Sequence, residues 1–472
     1  MSLVKMPSSC CLTDAIEAAL GEYPADKTLW LALSGGLDSV ALLHRLATLP
    51  QYQTRIKQGR LKAIHIHHGL SDHADEWLSF CRQFCAALTI PFYAEKITLN
   101  NHHNNIEQQA RDTRYQVFSQ YVLDGEYLLT AHHADDQIET FFLRLLRGAG
   151  LDGLASIPLQ RQHLHFTIVR PLLGCSRAQL LEYAQQQQLH WVEDESNQDT
   201  RFDRNWWRQE LLPRLWQKFP GRKAAVLRSL AQLQQDQHTL KYLLNEKLEA
   251  CQQPCCWPNS KNRYLDLTIF NAQPPELQAY IIRNWLQQEA IACPAAIRLQ
   301  QFCVSLAMAK DDKHPQLVLG DWVLQRFQMG LYLRTARVAT HKDTTLVIPS
   351  SDSNTDNTNT STNNSDIKQL KWFGGVIALQ ESQDHSPGQQ SIKPGSYRVL
   401  PASRCNGRTL QPQGRPHKTL KHIWQENQVP LWLRADWPCL LNSQGELVAV
   451  IGLVVAQSYY SDSGRALYWR TK

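Results

Sequence analysis

Several features that would settle function at once are missing from this chain of 472 residues. It has no apolar run of the about 20 residues that a membrane-spanning helix requires, so no membrane partner is expected. The opening Met1-Ser2-Leu3-Val4-Lys5 soon meets charge and holds no secretory apolar core. Twelve cysteines are too dilute for a secreted disulfide scaffold; without a secretory signal they point to a reducing cytoplasm. None forms a Cys-x-x-Cys pair, the nearest spacings being Cys81/Cys85 and Cys251/Cys255, which disfavours sulfur transfer and iron–sulfur chemistry. No phosphate loop of the G-x-x-x-x-G-K-S/T type occurs. His65-Ile66-His67-His68-Gly69 starts like the H-x-H-x-D-H of metallohydrolases, but Gly69 stands where the Asp is needed. A strong charge is missing too: a net +6 permits nucleic-acid binding without demanding it.

What remains is a globular composition, 43% hydrophobic and 19% charged, in a length that suits two to four domains. Most of the fourteen tryptophans are assigned to packing, with a minority left to stack on bases. Strand-like segments at 29–33, 61–67, 91–97, 127–130 and 166–169 alternate with helix-like segments at 40–49, 72–89, 106–122, 136–147 and 177–187. This alternation predicts an α/β fold with a doubly wound parallel sheet over 1–214, its ligands lying beyond the strand C-terminal ends. Residues 215–338 turn helical and Gln-rich and predict a mainly α middle domain. Residues 339–368, rich in Ser, Thr, Asn and Asp, read as a disordered tether, and 369–472 as a small α+β domain.

The first strand and its helix are joined by Ser34-Gly35-Gly36-Leu37-Asp38-Ser39. Two glycines let the backbone approach a ligand, and the free N–H groups of a helix start make an anion site. Asp38 would repel a bare phosphate and makes sense mainly with a divalent cation between them. The plainer alternative is a Gly-rich turn capped by Ser and Asp. Gly148-Ala149-Gly150-Leu151-Asp152-Gly153 fits G-x-G-x-x-G, but a helical segment precedes it, so it reads as a helix C-terminus running into a loop.

Ser34 to Ser39 resembles the pyrophosphate loop of the N-type ATP pyrophosphatases, which cleave ATP between its α and β phosphates. Four further clusters follow in order: His65 to Leu70, Glu107 to Tyr115, Ala131 to Thr140 with Arg147-Gly148-Ala149-Gly150, and Glu193 to Asp199 with Arg204, Asn205 and Arg208. Near the C-terminus stand Gly414-Arg415-Pro416-His417-Lys418-Thr419-Leu420-Lys421-His422 and Val429-Pro430-Leu431-Trp432-Leu433-Arg434. The set resembles the tRNA(Ile)-lysidine synthases over most of 29–213 and 400–455, with two departures: His67 stands where Asn is usual and Glu195 where Pro is usual.

That resemblance implies ATP as co-substrate, Mg²⁺, L-lysine, and tRNA(Ile) with a CAU anticodon. The wobble cytidine C2 oxygen would be adenylated, and the lysine ε-amine would then displace AMP. A homodimer is compatible with the family. Ser34, Gly35, Gly36, Leu37, Asp38 and Ser39 would bind ATP phosphates; Asp38 and Asp135 would position the metal, with Asp136 capping its helix. Asp38, Asp135, His132 and Arg111 form the expected catalytic group. Arg111 and Arg114, three apart on a helix, would face phosphate or the target base, or else pair with Glu107. His132 and His133 would carry a proton or touch phosphate, or serve as hydrogen-bonded spacers. Arg204, Arg208, Arg415, Lys418 and Lys421 would grip the tRNA backbone, the last three being otherwise a solvated basic face. The base that deprotonates lysine has no sequence signature. A tRNA thiolase, a small-molecule amidotransferase and a catalytically idle tRNA-binding protein are the rival readings; the missing cysteine pairs weigh against the first and the intact acidic residues against the last.

Overall fold

The computed structural model describes residues 12–67, 69, 71, 73–97, 106–195, 199–310, 313–336, 344–348, 369–373, 375–381, 391–461 and 465–471. His68, Leu70, Ser196, Asn197 and Gln198 of the motifs, and 339–343 and 349–368 of the expected tether, lie outside them. The chain forms two compact units, Met1–Leu240 and Lys241–Lys472.

In the first unit the strands are β1 (Leu29–Ala32), β2 (Leu61–His67), β3 (Phe92–Lys96), β4 (Tyr127–Leu129), β5 (Gln160–His163) and β6 (Phe166–Val169). They lie in the order β3-β2-β1-β4-β6-β5, all parallel except the edge strand β5. Before and between them come α1 (Leu12–Leu20), α2 (Leu37–Thr48), α3 (Gln53–Lys57), α4 (Ala74–Ala87), α5 (Ile106–Tyr121), α6 (Ala134–Leu146) and α7 (Leu151–Leu154); α8 (Arg177–Gln186), α9 (Asp203–Trp206), α10 (Leu212–Lys218) and α11 (Arg222–Cys251) follow. The apolar run of β1 is buried on both faces because alternate side chains point opposite ways. Leu29 and Leu31 join a core with α1, α2 and α8 on one face, and Trp30 joins Val117, Phe118 and Ile168 on the other. Helices on both faces of a parallel sheet make the fold doubly wound. From β1 the chain proceeds outward through β2 and β3, then β4 returns to the other side of β1. The crevice above β1 and β4 is therefore the topological switch point, where such sheets bind ligands.

Two helices start earlier than periodicity suggests. α2 begins at Leu37 because Gly36 is its extended N-cap, which places Asp38 and Ser39 in the first turn. α6 begins at Ala134, where the side chain of Asp136 accepts from the His133 amide at 2.9 Å in a capping box. Gly148, at φ +69°, follows the end of α6, as read from the sequence.

In the second unit α12 (Leu267–Asn271), α13 (Pro275–Gln288) and α14 (Ala296–Met308) accompany an antiparallel sheet that the Gln-rich composition did not announce. It contains β7 (Gln252–Pro254), β8 (Arg263–Asp266), β9 (Gln316–Leu319), β10 (Trp322–Phe327) and β11 (Gly330–Thr335), in the order β7-β8-β11-β10-β9. The expected tether needs one correction: Thr344–Ile348 forms β12, paired with β16 (Gly395–Pro401), because Leu346 and Ile348 alternate inward. The C-terminal region further holds β13 (Gln369–Trp372), β14 (Gly375–Glu381), β15 (Ser391–Ile392), β17 (Thr409–Leu410), β18 (Lys418–Thr419), α15 (Leu420–Glu426), α16 (Leu431–Arg434), β19 (Pro438–Leu441), β20 (Leu447–Val450), β21 (Val454–Val455) and β22 (Arg465–Thr471). Its core is built on Trp372, Trp424, Trp437 and Trp469, so these tryptophans pack.

Candidate active site

The loop after β1 turns through Gly35, whose φ of +88° is one that side-chain-bearing residues rarely adopt. A Cβ there would also lie 2.8 Å from Val192 Cγ2 and 3.1 Å from Cys81 Sγ. Val192 holds the turn from above, its amide donating to the Gly35 carbonyl at 2.9 Å. Ser34 Oγ accepts from the Gly36 amide at 3.3 Å and lies 3.0 Å from Ser39 Oγ, which donates to the Gly36 carbonyl at 3.0 Å. The N-cap Gly36 brings no capping side chain to α2, so among the described residues its first amides are open to an anion. The sequence-predicted phosphate loop thus has a rigid, preformed shape.

β1 and β4 are neighbours, so the loop faces the segment after β4. Asp38 Oδ2 lies 3.5 Å from Nε2 of His133, which is itself 3.6 Å from Asp136 Oδ2, while His133 Nδ1 is 3.9 Å from Asp135 Oδ2. Burial disfavours the imidazolium, but the hydrogen bond to Asp38 and the charges of Asp136, Asp38 and Asp135 outweigh it and raise the His133 pKa. The adjacent His132 goes the other way. Burial, reinforced by Arg170, Arg204 and Arg111 against the pull of Asp136, lowers it to about 4. Its Nδ1 lies 3.0 Å from Thr130 Oγ1. The two neighbouring imidazoles are thus shifted in opposite directions. His65 is a spacer: its Nδ1 is 2.9 Å from the Leu33 carbonyl.

The carboxylates divide differently from expectation. Asp136 caps α6, as anticipated for one of the pair. Asp135, the expected second metal ligand, has Oδ1 on Lys223 Nζ and Oδ2 on the Arg177 amide at 2.9 Å. Burial opposes its ionisation, but the Arg177 amide and Lys223 prevail and lower its pKa. Asp38 Oδ1, by contrast, is buried without a hydrogen-bond partner among the described residues. Mg²⁺ is commonly bound through one or two carboxylates plus substrate phosphates. Asp38 fits that role as it stands; Asp135 fits only by exchanging Lys223 for the cation.

Arg204 and Arg208 do not point outward as a backbone grip would. Arg204 Nε donates to Glu139 Oε2 at 2.7 Å and its Nη2 to Asp136 Oδ1 at 2.6 Å. Arg208 Nε donates to Glu139 Oε1 at 2.7 Å and its Nη2 to Asp136 Oδ1 at 3.2 Å. Glu139 is 1% exposed, so the two guanidinia serve as its counter-charges. The π-helical turn Trp207–Leu211 swings Arg208 into this position, with Trp207 stacked on Phe142 at 5.0 Å. Arg111 is exposed on α5, its guanidinium 5.5 Å from the Tyr115 ring centroid. In the C-terminal region Lys418 is tied to Glu426 at 2.7 Å and the exposed Arg415 lies 3.8 Å from the same carboxylate, whereas Lys421 is exposed. Glu139, Lys223, Arg177 and Val192 were given no role from the sequence. Glu139 sits within a recognised motif, but nothing local marks Lys223, which arrives from 88 residues away.

No described helix is long and apolar enough to cross a membrane. Family models match three stretches: a PP-loop domain over 12–215, a TilS substrate binding domain over 265–332 and a TilS substrate C-terminal domain over 402–470. The chain is 35% identical over 436 residues to the tRNA(Ile)-lysidine synthase of Histophilus somni strain 129Pt, covering 91% of this chain and 96% of that one. It is 34% identical over 462 residues to that of Serratia proteamaculans strain 568, with 95% and 97% covered. The chain belongs to the tRNA(Ile)-lysidine synthase family. As a lysidine synthase family member it carries the loop and C-terminal regions expected from the motifs, and between them a substrate-binding region that the motifs had not marked. The U34-tRNA thiolase NcsA of Methanococcus maripaludis is a more distant structural match, 15% identical with a TM-score of 0.39 over 48% of this chain and 78% of that one.

Proposed function

We propose that this enzyme joins L-lysine to C2 of the wobble cytidine of CAU-anticodon tRNA(Ile), consuming ATP and releasing AMP and diphosphate. The family relatives support lysidine formation on tRNA(Ile). The carrying observation is the open α2 N-terminus set against Asp38 and His133 at the switch point. Adenylating the cytidine oxygen builds charge on the α-phosphate and on the departing diphosphate. The amides of Leu37, Asp38 and Ser39 receive the diphosphate, and His133, whose charged form is favoured by the surrounding carboxylates, stands beside them. Mg²⁺ on Asp38 would neutralise phosphate charge when bound. Adenylation turns the C2 oxygen into a good leaving group, and the ε-amine displaces AMP. That amine must attack in its deprotonated form, because only the free base carries the lone pair that displaces AMP.

Arg111, beside His132, faces the nucleotide to be modified. Lys421 and Arg415 offer the exposed charge for tRNA backbone in the C-terminal region. Lysidine pairs with A rather than G, so the tRNA reads AUA and is charged with isoleucine instead of methionine. A cytoplasmic location suits a tRNA substrate, and the assembly is read as monomer or homodimer. The deciding assay supplies radiolabelled lysine, ATP and CAU-anticodon tRNA, followed by nucleoside analysis. Label in a modified cytidine, with one AMP formed per lysine, is expected. AMP formation with no lysine in the nucleoside would refute the assignment.

A further inference from the structure

We propose that Arg111 and Arg161, backed by the buried charge of Arg170, receive a backbone phosphate of the tRNA on the β6 side of the site. Arg170 directly follows β6, Arg161 lies on β5 opposite Ile168, and Arg111 comes from the first half of α5. All three converge on Tyr115. The guanidinium carbons of Arg111 and Arg161 lie 5.5 and 5.3 Å from its ring centroid, and the charge of Arg170 also interacts with the same side chain. His163 packs on that ring at 5.0 Å. The aromatic ring orients the guanidinia but does not cancel their charge.

Arg170 is 3% exposed and donates to the Pro158 carbonyl at 2.7 Å. Its Nε and that of Arg161 meet no partner among the described residues, and no described carboxylate is paired with any of the three. This differs from Arg204 and Arg208, whose charges are answered by Asp136 and Glu139. The field of the cluster also reaches the site: Arg170 and Arg111 help to hold His132 neutral. A cationic cluster with no counter-charge among the described side chains is preorganised for an anion that arrives with the substrate.

The anion is a phosphate, and two sources carry one. β6 is two strands from β1, about 10 Å at ordinary strand spacing. A diphosphate seated on the Ser34–Ser39 turn is anchored on the far side of β4. A polynucleotide carries a phosphate at every residue, so one falls near β6 when its target base lies beside His132. The RNA backbone is therefore the occupant favoured.

The inference rests on the tRNA-modifying reading above, and the test separates the two. Full-length Arg161→Gln is compared with wild type for binding of CAU-anticodon tRNA(Ile) across 50 to 200 mM salt, roughly the range over which phosphate contacts dominate affinity. ATP KM is measured alongside. Expected is a three- to tenfold loss of tRNA affinity at low salt, with the log–log salt slope flattened by about 0.7–0.9, as for one lost phosphate contact. Arg161→Lys keeps the slope, and ATP KM does not move. Arg111→Gln, at an exposed helical position, must reproduce the flattened slope and carries the test if R161Q folds poorly. An unchanged tRNA slope, or a raised ATP KM with tRNA binding intact, would overturn the proposal. Failure of wild type to form lysidine would instead overturn the function itself.

Discussion

Replacing Arg208 by Gln separates two meanings of the same arginine. As a tRNA grip, Arg208 would contribute one phosphate contact and nothing to the fold. The structure gives it a 2.7 Å bond to Glu139 Oε1, a 3.0 Å bond to Oε2 and a 3.2 Å bond to Asp136. Breaking a buried ion pair costs about 3–5 kcal/mol, chiefly because one charge is left unanswered. Glu139 keeps Arg204 at Oε2 when Arg208 is removed, and the Arg208 side chain is 27% exposed, so a smaller cost of about 2–3 kcal/mol is expected. For a unit of this size each kcal/mol moves the melting temperature by about 2–4 °C, giving a drop of roughly 5–10 °C. Calorimetry of R208Q measures it, and a tRNA-binding salt series accompanies it. The expected pair of results is a lowered melting temperature and an unaltered salt slope. A wild-type melting temperature with a slope reduced by about 1 would refute the buried-network account and restore the tRNA grip.

Three other outcomes follow from the site. Asp38→Asn removes the negative charge of the carboxylate whose Oδ1 is unpartnered among the described residues and should lower tRNA-dependent AMP formation by about 10²–10³-fold, the scale of losing one group that stabilises a transition state. Its melting curve should match wild type, and full turnover would take Asp38 out of the mechanism. Gly35→Ala forces a side-chain-bearing residue to φ +88° against Val192; a penalty of about 1–3 kcal/mol and a raised ATP KM are expected, read by thermal unfolding and steady-state kinetics. The histidines set opposite pH limits. Stability contributed by protonated His133 is complete below the unfolded value of about 6.5 and is lost as pH rises through its raised folded pKa. For His132 the folded pKa lies below the unfolded one, so its contribution is full above about 6.5 and declines as pH falls to about 4. Melting temperatures should therefore fall across that acid window, and His132→Gln should flatten the fall; an unchanged acid limb would refute the buried neutral imidazole.

The chain's own order of residues determined a good deal. Apolar and alternating runs bounded by turn residues located the five parallel strands of the first sheet, because burial selects such patterns. The polar antiparallel edge strand β5 had no such mark. The double-glycine turn was legible for a similarly local reason: positive φ and close backbone approach exclude most other residues. The Asp135-Asp136 pair declared a helix start, and its division of labour did not. Only tertiary structure placed Lys223 and the Arg177 amide on Asp135, leaving Asp38 with the open oxygen. Only tertiary structure turned Arg204 and Arg208 inward onto Glu139. An arginine in a basic segment looks the same whether it meets phosphate or a buried carboxylate; which it meets depends on contacts between residues 65 or more positions apart. Likewise, Thr344–Ile348 is a short β-branched and apolar run, but a run of five becomes a strand only because β16 supplies the partner. Local chemistry fixes backbone shape within a few residues, whereas the charge state and partner of a side chain are set by whatever the fold brings beside it.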